Sequence, residues 1–100
     1  MGSRSNLSKI LRDILGTPNV YFQAPGSGMK YPCIKYELDG ENTTFADNKP
    51  RIRTKRYAVT VIDPDPDSLI PDKVGALPMC KFNRKYTKDN LNHFVYILYY

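Results

Sequence analysis

The chain has 100 residues, of which 41% are hydrophobic and 25% charged, a size and composition that fit one globular domain and argue against a disordered segment. Folding at this length removes about 65% of the unfolded surface, roughly 11,000 Å², which makes one core and leaves little room for a deep substrate cleft. The formal net charge of +5 favours anionic partners by steering but carries no information about fold.

The first predicted element is a helix over residues 6–15. Leu7, Ile10, Leu11, Ile14 and Leu15 recur at helical spacing and make one apolar stripe. Ser3, Ser5 and Asn6 are candidate caps, and Gly16 with Pro18 stops the helix. Val20-Tyr21-Phe22-Gln23 reads as a short strand, and Ala24-Pro25-Gly26-Ser27-Gly28 breaks the chain after it. A second strand runs from Tyr31 to Leu38, with Ile34, Tyr36 and Leu38 on one face and Cys33, Lys35 and Glu37 on the other.

Asp39 to Pro50 is polar and rich in turn formers, with Phe45 as its only large apolar residue, which predicts a long β-hairpin loop at about 39–53. Arg51 to Ile62 follows as a third strand. Tyr57, Val59 and Val61 share one face, and Ala58, Thr60 and Ile62 the other. Its first half is basic, so only its second half is expected to face the core. Asp63-Pro64-Asp65-Pro66-Asp67 is a stiff acidic connector, and Asp67 or Ser68 can cap a second helix over residues 69–77. Pro71 is tolerated in its first turn, Gly75 weakens it, and Pro78 ends it. A fourth strand spans Met79 to Tyr86, with Cys80, Phe82 and Tyr86 assigned to one face. Leu91 to Tyr100 is a last strand, apolar on both sides from Phe94 onward and therefore expected to be central or covered on both faces. The expectation is an α+β domain over residues 1–100, in the order α-β-β-β-α-β-β. It has one mostly antiparallel sheet of about five strands with two helices packed on it.

No constellation in this sequence announces chemistry. Asp63, Asp65 and Asp67 imitate the start of a calcium loop, but Ser68 stands where that loop needs glycine and Val74 where it needs glutamate. His93 is the only histidine, which favours a locally hydrogen-bonded residue over a metal ligand or a Cys–His pair. Cys33 and Cys80 are too few and too far apart for a disulfide scaffold. Gly26 and Gly28 precede a strand rather than a helix, so they do not form a phosphate loop. No apolar run reaches the length of a membrane span, Met1-Gly2-Ser3-Arg4 is not followed by a signal-peptide core, and Asn6 breaks the myristoylation pattern. An intracellular, non-enzymatic chain without cofactor or metal is expected.

The exception to this plainness is a basic run. Lys49 precedes Arg51, Arg53 and Lys55, which alternate on one face of the third strand, with Arg56 on the other. Three readings fit: a solvated strand end, a docking arm with charged contacts to a neighbouring subunit, or a grip on nucleic-acid phosphates, though no nucleic-acid module signature accompanies it.

Several stretches resemble small tail proteins of long-tailed bacteriophages, specifically tail terminator (tail completion) proteins. They are Val20-Tyr21-Phe22-Gln23-Ala24-Pro25; Met29-Lys30-Tyr31-Pro32-Cys33-Ile34-Lys35-Tyr36; Thr43-Thr44-Phe45-Ala46-Asp47-Asn48 with Arg53-Thr54-Lys55-Arg56-Tyr57; Val59-Thr60-Val61-Ile62-Asp63 leading through Asp65-Pro66-Asp67-Ser68 to Ile70-Pro71-Asp72-Lys73; and Asp89-Asn90-Leu91-Asn92-His93. The resemblance covers most of residues 19–99. It implies a small virion subunit that forms a homo-oligomeric, hexameric ring on the tail tube. Such a ring docks to the head-closure or connector protein and lets viral double-stranded DNA pass without sequence reading. On that reading Phe45, Lys49, Arg51, Arg53 and Lys55 are candidate interface residues, in an arm that is mobile in the monomer and orders in the ring. A small basic nucleic-acid-binding domain, or another neck protein such as a head-closure subunit, is the alternative.

Overall fold

A computed structural model describes the backbone of residues 4–23, 30–46 and 49–100, and side chains at those positions other than 41–46 and 49–54. The chain-breaking segment 24–28 and the side chains of Phe45, Lys49, Arg51 and Arg53 therefore lie outside the described residues. In chain order the elements are a helix α1 (Arg4–Leu15), strands β1 (Val20–Phe22), β2 (Cys33–Ala46) and β3 (Lys49–Asp63), a helix α2 (Ile70–Gly75), and strands β4 (Cys80–Lys88) and β5 (Leu91–Tyr99). This is the α-β-β-β-α-β-β order expected from the sequence.

The strands form one five-stranded sheet in the order β1-β2-β3-β5-β4. The sheet is mixed: β1 joins β2 in parallel, and the other three pairings are antiparallel. As its two-sided apolar pattern demands, β5 is interior, inserted between β3 and β4.

α1 starts two residues earlier than expected and buries Leu7, Leu11 and Leu15, a stripe of four-residue spacing. Gly16 ends it at φ 80° with its N–H donated to the Arg12 carbonyl at 2.8 Å, a left-handed cap that suits glycine. The stripe packs on Ile34 and Tyr36 of β2, Tyr57, Val59 and Val61 of β3, and Tyr96 and Leu98 of β5, with Val74 of α2 in the same core. Full burial of each such aliphatic side chain contributes about 1.5–3 kcal/mol. Tyr36 is central: its ring lies 5.1 Å from Phe22 and 5.9 Å from Tyr57, and its hydroxyl hydrogen-bonds the Ser8 hydroxyl. Because strand side chains alternate, both helices lie on this one face of the sheet.

α2 is shorter than the expected 69–77, and its cap also differs. Leu69 occupies the N-cap position and makes no side-chain cap hydrogen bond. The polar side chains before it fold onto the connector instead: the N–H of Asp65 is held by the Asp63 carboxylate at 2.8 Å, that of Asp67 by Asp65 at 2.9 Å, and that of Ile70 by the Ser68 hydroxyl at 3.2 Å. These short-range bonds compete with helix capping for the same side chains.

Two sequence expectations are corrected. Residues 39–46 and 49–53, read as loop and strand start, are strand throughout, so β2 and β3 form one long hairpin. The polar composition suggested a loop because alternation is only imposed where a sheet face is buried. A two-stranded ribbon that overhangs the core need not alternate. The second correction is on β4. A register shift between Phe82 and Arg84 places Asn83 in a bulge, so Cys80 and Phe82 share the helix side while Tyr86 pairs with His93 on the other face.

Candidate functional site

The hairpin arm begins where β3 leaves β5. The β3–β5 ladder ends at Arg56 opposite Tyr99, and the Tyr100 N–H donates to the Lys55 carbonyl at 3.0 Å. Beyond this point β3 pairs only with β2, down to Ala46 opposite Lys49. The molecule measures 50 × 23 × 23 Å, an elongation consistent with the overhang. The arm carries Lys49, Arg51, Arg53 and Lys55 in sequence, and the register sets Lys55 opposite Glu41 and Arg53 opposite Thr43. A second register shift leaves Arg51 between the Ile52–Thr44 and Pro50–Phe45 pairs. Strict alternation of Arg51 with Arg53 and Lys55 is thereby interrupted. Lys55 is solvent-exposed.

The root of the arm is clamped by a residue not counted among the candidate interface positions. Arg56 lies across Gly40 and donates through Nη2 to the Asp39 carbonyl at 3.2 Å, while its Nε sits 3.2 Å from the Asp39 carboxylate. A Cβ on Gly40 would stand 2.7 Å from Arg56 Nη2, so the glycine is what lets the guanidinium lie flat over the strand. Asp39 is itself the extra residue of a shift between Leu38 and Gly40.

The groups with most chemical potential are dispersed. Cys80 is on the helix side of the sheet and His93 on the opposite side, and Cys33, on the same side as His93, is separated from it by Ile62 of β3. Burial pushes the thiols of Cys33 and Cys80 up to about 11, so they are protonated and weakly nucleophilic at neutral pH. The His93 ring stacks on Tyr86 with centroids 4.5 Å apart, and its Nδ1 lies 3.2 Å from the Leu91 carbonyl, where an N–H there would donate. Burial pushes its pKa below the ordinary value, which keeps the imidazole neutral. Among the described residues no group of three or more His, Cys, Asp or Glu side chains is arranged to hold a metal ion. Among the described residues no helix is long and apolar enough to cross a membrane.

Two further surfaces stand out among the described residues. A groove of about 840 Å³ runs between α2 and β4, lined among others by Leu69, Asp72, Cys80, Phe82, Lys85 and Tyr96. Leu69 and Phe82, both on its wall, are 68% and 56% exposed, and Met79, next in the chain to Cys80, is 68% exposed, which makes this side of the groove apolar. The second is β4 itself, an edge strand exposed from Lys81 to Lys88. Sequence reading missed it as a surface because Phe82 and Tyr86 were read as one apolar face. Its signal was the density of cations, Lys81, Arg84, Lys85 and Lys88 within nine residues. No protein-family model matches this chain. No curated protein sequence matches it either.

Proposed function

We propose that this chain is a structural subunit of a bacteriophage tail, a tail terminator that assembles as a hexameric ring on the end of the tail tube. The ring docks the tube to the head-closure protein and lets DNA pass through its lumen without sequence-specific contacts. The observation that carries the reading is the overhanging hairpin: a two-stranded basic arm that leaves its own core is suited to contacting a neighbouring molecule. The resemblance of most of residues 19–99 to tail terminators supports the same assignment. The scattered placement of both cysteines and the histidine fits a protein that works through its surfaces.

Imaging of assembled tails with the chain labelled tests the proposal. Density at the junction of tail and neck is expected, and a chain absent from that junction overturns it. The nucleic-acid alternative draws on the exposed cations of β4 and makes a different forecast. Tight DNA binding that weakens steeply with added salt would favour it.

A further inference from the structure

Among the described residues the sheet has two edges without a full-length pairing strand, one rich in cations and the other containing acids. β4, the last strand on one side, contains Lys81, Arg84, Lys85 and Lys88 and no acid. On the other side β1 covers β2 only from Ile34 to Tyr36. From Glu37 outward no strand among the described residues pairs with the outer edge of β2. That stretch contains Glu37, Asp39 and Glu41 and no cation. Glu37, Leu38 and Asp39 are exposed.

The two edges also match face by face. On the helix side β2 presents Leu38, 52% exposed, and β4 presents Phe82, 56% exposed. On the opposite side β2 presents Glu37, and β4 presents Lys81 and Arg84. In a ring whose axis runs along the strands, a sheet continued from one molecule into the next keeps its faces. Leu38 of one copy then reaches the apolar patch around Phe82 of the next, and Glu37 reaches the cations.

We propose that copies of this chain associate head to tail by adding the outer edge of β2, at the root of the arm, to β4 of the neighbour. Backbone hydrogen bonds along the two edges that no described strand pairs supply the contact, and the charges choose which edge meets which. Cations on an edge strand ordinarily discourage pairing. Here they discourage β4 from meeting β4 and favour β4 meeting β2. A contact between two different surfaces is heterologous, and such contacts give a ring when the rotation closes. The inference rests on the self-assembling part of the function proposed above and specifies its surfaces.

Sedimentation of the purified chain at increasing concentration tests it, with three variants whose fold is checked by circular dichroism. Wild-type protein is expected to form oligomers. Lys81→Glu with Arg84→Glu, and separately Glu37→Lys, are each expected to abolish them. The chain carrying all three substitutions, and an equimolar mixture of the two single-edge variants, are expected to recover them. A wild-type chain that stays monomeric, oligomers indifferent to either reversal, or a mixture that fails to recover overturns the edge pairing. Oligomers indifferent to both reversals leave the ring assignment standing. Recovery by charge exchange in a chain absent from the tail junction removes the phage role and keeps the edge pairing.

Discussion

Asn92, at the start of β5, shows how one buried amide positions a whole connector. Its Nδ2 donates to the carbonyls of Asp63 at 3.1 Å and Pro64 at 3.3 Å, and Thr87 Oγ1 donates to its Oδ1 at 3.4 Å. Removing the amide leaves the buried Asp63 carbonyl short of a donor where water has little access. Asn92→Ala is expected to destabilise the fold by about 1–3 kcal/mol in chemical denaturation. His93, next in the chain, carries a pH dependence. Its folded pKa lies below the ordinary 6.5, so the unfolded chain binds more protons and stability rises with pH through that window. The stabilisation is complete above about pH 6.5 and is lost as pH falls below it toward the folded value. A denaturation series across that range should show the loss, and His93→Gln should flatten it. Gly75 was read from sequence as a helix weakener. In the structure a Cβ there would stand 3.1 Å from Tyr96 Cε1, so the glycine permits close contact between helix and sheet. Such a neighbour is invisible until the two elements are placed together.

The arm is the element whose reading changed most. A polar stretch and a basic stretch looked like a loop and a strand end, and they are the two halves of one ribbon. Alternation identifies strands by their buried face, and this ribbon extends past the ladder to β5. Substituting glutamate for Arg51, Arg53 and Lys55 together, on backbone beyond the β5 ladder, is expected to change stability by no more than about 1.5 kcal/mol, about 0.5 kcal/mol per position. Assembly on tails should be blocked, and unchanged assembly would show that the arm is not an interface. At the root, Gly40→Ala should push the Arg56 guanidinium off Asp39. The pair is exposed, so global stability should move by no more than about 1 kcal/mol. Faster amide exchange in residues 38–42 and 54–57 is the expected readout. β4 misled for a different reason. One bulged residue, Asn83, exchanges the faces of everything after it, and side-chain pattern alone does not reveal a bulge without glycine.

At the scale of the molecule, element order and core were legible because local rules and burial agreed. The stripe Leu7, Leu11, Leu15 and the alternation of Val59 and Val61 each pointed inward from their own segment. Strand order was not legible, since the return of β5 between β3 and β4 depends on pairings remote in sequence. The same separation hid the candidate surface, because the opposed charge of the two sheet edges exists only once the sheet is assembled. A whole-molecule expectation follows. If charge selects the edges, oligomers should weaken as ionic strength rises, a trend that sedimentation in graded salt would read directly.

The insertion of β5 between older neighbours has a consequence for synthesis. A ribosome delivers β4 before β5 exists, so a sheet in the order β1-β2-β3-β5-β4 has a vacancy in its middle until the last strand emerges. During that interval β4 waits with both edges unpaired, while the β2–β3 hairpin can already form. The four cations of β4 would then act twice in the life of the chain. They keep a strand without partners from sticking to other nascent chains, and later they help select the neighbour beside which it rests.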